Sequence, residues 1–217
     1  MTAPQRPTPT IEPGTSAHRL LRGVLRVDAP ERSIRRIRLL ETAAWTASLL
    51  DTGDGDRLTP AGDLTIHVLW QLDEKDAGVI VDGAPYPIAP GDTMSVPAGT
   101  EVIPTRGMLL AVIEGSRSTL RGVVPPSHGE ESFEGYNRRT TYETPEGFRL
   151  ERWKITQPLT LPAPTAPFAV ICLAEPLGLA WRGGVDLVGR GACRLIEPGT
   201  GPVTLLPDGL GYALWIS

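Results

Sequence analysis

From Ile34 onward the chain is a succession of short apolar or alternating runs, each closed by Gly, Pro or Asp. IRRIRLL (34–40), AAWTASLL (43–50), LTIHVLWQL (64–72), GVIV (78–81), DTMSV (92–96) and MLLAVIE (108–114) make up the first half. FRLERWKI (148–155), PFAVICLA (167–174), GLAW (178–181), VDLV (185–188), CRLI (193–196), PVTLL (202–206) and YALWIS (212–217) make up the second. Runs of this length with period-two alternation predict β-strands, and the residues between them supply the backbone angles of tight turns. No segment after Glu41 carries a helical period, and a short helix within Ser16–Arg26 is the one helical expectation. The pattern therefore predicts an all-β protein of antiparallel strands forming barrels or sandwiches.

The turn residues also repeat. Gly78, Gly83, Gly91 and Gly99 recur one hundred residues later as Gly178, Gly183, Gly191 and Gly199, with apolar positions in step: Val79 with Leu179, Ile88 with Val188, Val96 with Ile196. A period of this length matches a small domain and not a solenoid unit, so two tandem β barrels related by internal duplication are expected. A length of 217 residues can bury one large core or two small ones, and 24 Gly with 22 Pro fit many turns.

PGDTMSVPAG (90–99) resembles the second conserved motif of the cupins, in which a PGD turn feeds a strand ending at Pro-Ala-Gly. GVIVDGAPYPI (78–88) resembles the strand pair between the two cupin motifs, so the tandem repeat is similar to a bicupin. FRLERWKI resembles the strand that opens the last cupin of type I mannose-6-phosphate isomerases. The resemblance implies jelly-roll barrels, with a flexible tail and lead-in at 1–33, a first barrel at 34–124, a polar crossover at 125–147 and a second, degenerate barrel at 148–217. It also implies a small polar metabolite as substrate and isomerase-like proton-transfer chemistry. The alternative is a non-catalytic, metal-free bicupin that binds a small ligand or a protein partner.

The ligands that metal-binding cupins carry are missing here. Val102 stands where the second motif has His, Pro60–Asp63 holds no His-x-His pair, and no histidine follows His128. No cofactor is the first expectation. A divalent metal (Fe, Mn or Zn) is the alternative, requiring a non-standard site built from His67 and His128 with Asp63 or Glu101. The crossover PPSHGEESFEGYNRRTTYETPEG is polar yet aromatic, and is expected to roof the first barrel's mouth. His67, His128 and Tyr136 are the candidate acid, base or catalytic groups. Trp70, with Trp45 as a further aromatic, Arg138, Arg139 and Glu101 are the candidate substrate-binding residues.

Charge and targeting signals narrow the setting. A net charge of −4 argues against nucleic acid and anionic membrane partners. The Pro/Thr-rich start has no apolar signal core, and Cys172 and Cys193 read as buried thiols in a reducing cytoplasm. Edge strands leave a homodimer open.

Overall fold

A computed structural model describes residues 11–13, 35–53, 56–71, 78–105, 107–145, 148–190, 192–209 and 211–216. Every regular element among them is a strand. The helix expected near Ser16–Arg26 and the hairpin glycine Gly191 lie outside these residues.

A sheet of six strands is ordered β10 (Val124–Ser127), β7 (Thr93–Val96), β4 (Leu64–Gln71), β9 (Met108–Gly115), β3 (Trp45–Thr52) and β2 (Arg35–Glu41). It faces a sheet of three, β6 (Ala84–Pro87), β5 (Gly78–Val81) and β8 (Val102–Pro104). Between them lies a core of Ile66, Val68, Val79, Met94, Val102, Leu110 and their neighbours. A sheet of seven is ordered β1 (Ile11–Pro13), β18 (Cys193–Ile196), β15 (Phe168–Cys172), β20 (Gly211–Ile216), β13 (Leu150–Ile155), β12 (Asn137–Tyr142) and β11 (Glu130–Glu134). Its partner is a sheet of four, β14 (Leu159–Leu161), β19 (Val203–Pro207), β16 (Leu177–Trp181) and β17 (Gly184–Val188), around Trp153, Phe168, Val170, Leu179 and Leu205.

The two pairs of sheets repeat one topology. β7-β4-β9-β3-β2 has the same order as β18-β15-β20-β13-β12, and β6-β5-β8 the same as β17-β16-β19. Turn hydrogen bonds recur at the hundred-residue spacing: Thr100 N donates to Pro97 O as Thr200 N does to Glu197 O, and Asp92 N to Ala89 O as Ala192 N does to Gly189 O. Gly99 and Gly199 share left-handed backbone angles, φ 76° and 92°, which explains glycine at both. The first hairpin turns at Asp82 and Gly83, φ 46° and 83°, the pair of positive angles that an Asp-Gly turn adopts most easily.

The backs of the two large sheets pack on each other. Trp45, Leu49, Ala111 and Ile113 of the first meet Leu150, Ala169, Ile171, Cys193 and Ile216 of the second in a third apolar core. This seam explains why PFAVICLA is apolar on both faces, with Phe168, Val170 and Cys172 filling a barrel and Ala169 and Ile171 filling the seam. Toward the β10 and β11 edges the seam turns polar, and the candidate site lies there.

Candidate functional site

Alternation along β4 decides the place of His67. Leu64, Ile66 and Val68 enter the first barrel's core, so Thr65 and His67 project from the opposite face. His67 therefore does not line the barrel mouth. It is fully buried on the seam side, its Nδ1 2.8 Å from Thr93 Oγ1, and its ring meets Tyr142 edge-on with centroids 5.0 Å apart. Its Nε2 is buried without a hydrogen-bond partner. Burial, reinforced by the Arg152 guanidinium, lowers its pKa to about 3, so the imidazole is neutral at ordinary pH.

The segment expected to cross over the barrel mouth instead extends the sheets. Its strand β10 caps the β7 edge, and β11 with β12 forms a hairpin that continues the seven-stranded sheet. On β12 and β13, Arg138, Thr140, Tyr142, Arg152 and Lys154 share one face, because Arg138 pairs with Lys154, Thr140 with Arg152 and Tyr142 with Leu150. Leu150 belongs to the seam core, so this face looks toward the first barrel. Arg139, Glu151 and Trp153 occupy the other face.

At the polar end of the seam the β12–β13 face meets the turn before β7 and the end of β10. The cleft between them has a volume of about 220 Å³ and is lined by Pro90, Gly91, His128, Glu131, Arg138, Thr140, Tyr142, Arg152 and Lys154. Asp92 anchors the turn: its Oδ2 accepts the Ala89 N–H at 2.8 Å, and its buried Oδ1 faces the imidazole Nδ1 of the exposed His128. The Tyr142 hydroxyl donates to Gly91 O at 3.0 Å and so ties the two barrels together. Burial raises the Tyr142 pKa, with nearby Arg152 opposing it, so the phenol stays protonated. Arg138 is salt-bridged to Glu131 at 3.1 Å. Three cationic side chains and one carboxylate line this cleft, in a chain whose net charge is −4. The local surplus is positive, which favours an anion.

The remaining sequence candidates lie elsewhere. Tyr136 is 83% exposed at the end of the β11–β12 hairpin. Arg139 turns away from the cleft, donating to Ser132 Oγ at 3.1 Å and lying 5.5 Å over the Trp153 ring near Glu151. Glu101 pairs with Arg57 at 2.5 Å. Asp63 accepts the Thr119 N–H, the Thr119 hydroxyl and the Leu120 N–H at 2.5, 2.9 and 2.8 Å, which fix the 118–120 turn. Trp45 is in the seam core, and Trp70 contributes backbone pairing to β4 while its side chain lies outside the described residues.

These placements test the metal alternative. Asp63, Glu101, His67 and His128 are each committed to a different partner, and among the described residues no three His, Cys, Asp or Glu side chains converge. Val102, at the position where the second cupin motif has His, is fully buried in the first barrel's core. The residues present do not fit a transition-metal site.

Asp92, Tyr142, Arg152, Lys154, Glu131 and Thr140 also belong to the site, and none of them stands in a motif that marks it as functional. One signal was available for two of them: in FRLERWKI the apolar Trp153 and Ile155 claim one face, which leaves Arg152 and Lys154 together on the other.

No family model matches this sequence, and no curated protein sequence does. Solved structures do. The chain is similar to a cupin 2 conserved barrel domain protein from Leptotrichia buccalis, with TM-score 0.63 and 12% identity over 95% of this chain and 96% of that one. It is similar to the mannose 6-phosphate isomerase from Bacillus subtilis, with TM-score 0.65 and 13% identity over 80% and 75%. It is also similar to a salicylate 1,2-dioxygenase from Pseudaminobacter salicylatoxidans, with TM-score 0.65 and 10% identity over 100% and 87%. The fold is therefore that of the cupins, as the PGD motif implied. Likeness at such identities speaks for the fold and not for a shared activity. Among the described residues no helix is long and apolar enough to cross a membrane.

Proposed function

We propose that this cupin-fold chain binds a small anionic metabolite in the cleft between its barrels, and that the His128–Asp92 pair moves a proton on it. The observation that carries the reading is the convergence of Arg138, Arg152 and Lys154 with Tyr142 and His128 on one cavity. The cations would hold a phosphate or carboxylate, and the Tyr142 hydroxyl, its one proton held by Gly91 O, would offer its oxygen as an acceptor beside it. With Nδ1 engaged by Asp92, the His128 ring presents Nε2 as its second nitrogen, the arrangement of an oriented general base.

A sugar phosphate is the first ligand to try, since one neighbour in fold is by name a mannose 6-phosphate isomerase. In such a step His128 takes a proton from the hydroxyl-bearing carbon beside a carbonyl and returns it to the carbonyl carbon, while the hydroxyl proton passes to the former carbonyl oxygen, so no atom is gained or lost. The free, buried thiols of Cys172 and Cys193 suit a reducing compartment such as the cytoplasm.

Binding without turnover is the second reading, favoured by the 82% exposure of the His128 side chain; proton abstraction from carbon works best where water is excluded. Two measurements separate these readings. Titration calorimetry with inorganic phosphate and mannose 6-phosphate should show binding that the double variant Arg138→Met, Lys154→Met weakens at least tenfold. Proton NMR in D₂O should show deuterium entering the sugar phosphate beside its carbonyl carbon, and His128→Ala should stop this while leaving phosphate affinity intact. Equal phosphate binding by the wild type and the double variant would overturn the cleft as the site. Binding without exchange would leave the ligand-binding protein.

A further inference from the structure

Strand β11 is the outer edge of the seven-stranded sheet, and its sequence, EESFE, is polar but for Phe133. Phe133 is 73% exposed, so it has no core to fill. Its direction follows from the ladder. Phe133 stands opposite Arg138, which stands opposite Lys154, and residues directly opposite across antiparallel strands project from the same face. Arg138 and Lys154 line the cleft, so Phe133 stands at the outer end of their row, on the cleft side. The neighbouring row reads Glu131, Thr140, Arg152, and all three line the cavity. Phe133 is not itself one of the lining residues; the ladder sets it one strand outward from Arg138, on the face that the cationic lining shares.

We infer that Phe133 is a stacking platform, so that the ligand of this cleft carries a flat apolar face next to its anionic group. This rests on the anion-binding reading above and narrows it. The cations fix the charged group; the ring then discriminates between ligands of equal charge by covering a face of the attached group. Two chemistries present such a face, an aromatic ring and the C–H side of a pyranose. An extended aliphatic chain presents none. Stacking of this kind contributes about a tenfold change in affinity.

The test compares four probes by titration calorimetry: inorganic phosphate, glycerol 3-phosphate, phenyl phosphate and glucose 6-phosphate. The wild type should bind phenyl phosphate, glucose 6-phosphate or both about tenfold more tightly than glycerol 3-phosphate, and which of them gains tells an aromatic from a sugar face. Phe133→Ala should erase that gain while leaving inorganic phosphate affinity and the melting temperature unchanged, and Phe133→Trp should keep it. Equal affinities for all four probes in the wild type would overturn the platform and leave the anion site standing. So would a loss in Phe133→Ala that extends equally to inorganic phosphate. Failure of every probe to bind would remove both proposals.

Discussion

The buried histidine offers the sharpest test of how this seam is built. His67 is fully buried and neutral, with a pKa lowered to about 3, first by burial and then by Arg152. In the unfolded chain it titrates near its ordinary 6.5. Between these values the unfolded state binds more protons than the folded one, so folding stability falls as pH falls. The contribution is fully present above pH 6.5 and is lost progressively toward pH 3. With 1.36 kcal/mol per pKa unit, the loss over the whole window is on the order of 5 kcal/mol, and between pH 7 and pH 4.5 it is about half of that. Carboxylates add their own slope in the acid range, so the comparison must be with a variant. His67→Phe keeps an aromatic ring against Tyr142, gives up the hydrogen bond to Thr93 and removes the titrating group. Urea unfolding of both proteins at pH 7 and pH 4.5 should show the wild type losing about 2–3 kcal/mol more than His67→Phe over that interval. In thermal melts the same difference appears as roughly 5–10 °C. Parallel losses in the two proteins would refute the argument, because His67 would then titrate alike in the folded and unfolded states. The same variant should retain deuterium exchange on a sugar phosphate, since the ring lies behind Tyr142 and not in the cleft.

Three further expectations follow from neighbouring residues. Asp63→Ala should destabilise the chain by about 3–4 kcal/mol, because the backbone and hydroxyl donors of Thr119 and Leu120 lose a charged acceptor; a melting temperature within 2 °C or so of wild type would contradict this. These hydrogen bonds outweigh burial and lower the Asp63 pKa below 3.8, so this stabilisation persists above pH 3.8 and fades as pH falls through the lowered value. Gly91→Ala should cost about 1–2 kcal/mol in stability and weaken phosphate binding, since φ is 93° and the new methyl would lie 3.0 Å from Arg152 Nη1; unchanged calorimetric affinity would show that this turn does not shape the site. Burial raises the pKa of the Cys172 thiol to about 11 and that of Cys193 further, so neither should react with a thiol reagent such as Ellman's reagent until guanidinium unfolds the chain.

Much of the fold was legible because local rules suffice for it. The PGD turn, the Asp82-Gly83 hairpin and the Gly99 and Gly199 turns are each fixed by backbone angles that few residues adopt. The hundred-residue spacing reappears as a repeated strand order. The placement of His67 was legible as well: in L-T-I-H-V the apolar positions are Leu64, Ile66 and Val68, and their alternation sends His67 to the opposite face. A role for His67 inside the first barrel would need the inward face of β4, which Leu64, Ile66 and Val68 occupy. The cleft was not legible, because it depends on how two barrels stack. No spacing in the sequence says that the turn at Pro90–Asp92 will lie against β12 and β13.

The position of the cleft has a physical logic of its own. Cupin resemblance directs attention into the barrels, yet both interiors are closed by apolar side chains: Val102, Ile66 and Met94 in the first, Phe168, Leu179 and Leu205 in the second. A buried polar group in either would need partners that these walls cannot offer. The backs of the large sheets face a milder constraint. Where strands are central, both faces are covered and the seam is as apolar as a core; toward the β10 and β11 edges, water reaches the seam and charged residues are tolerated. Arg138, Arg152 and Lys154 stand at that boundary, close enough to Tyr142 and the Pro90–Asp92 turn to be held in place and open enough to meet a ligand. A cupin-fold chain whose described barrel interiors are apolar can thus still carry a chemically distinct cavity in the seam between its barrels.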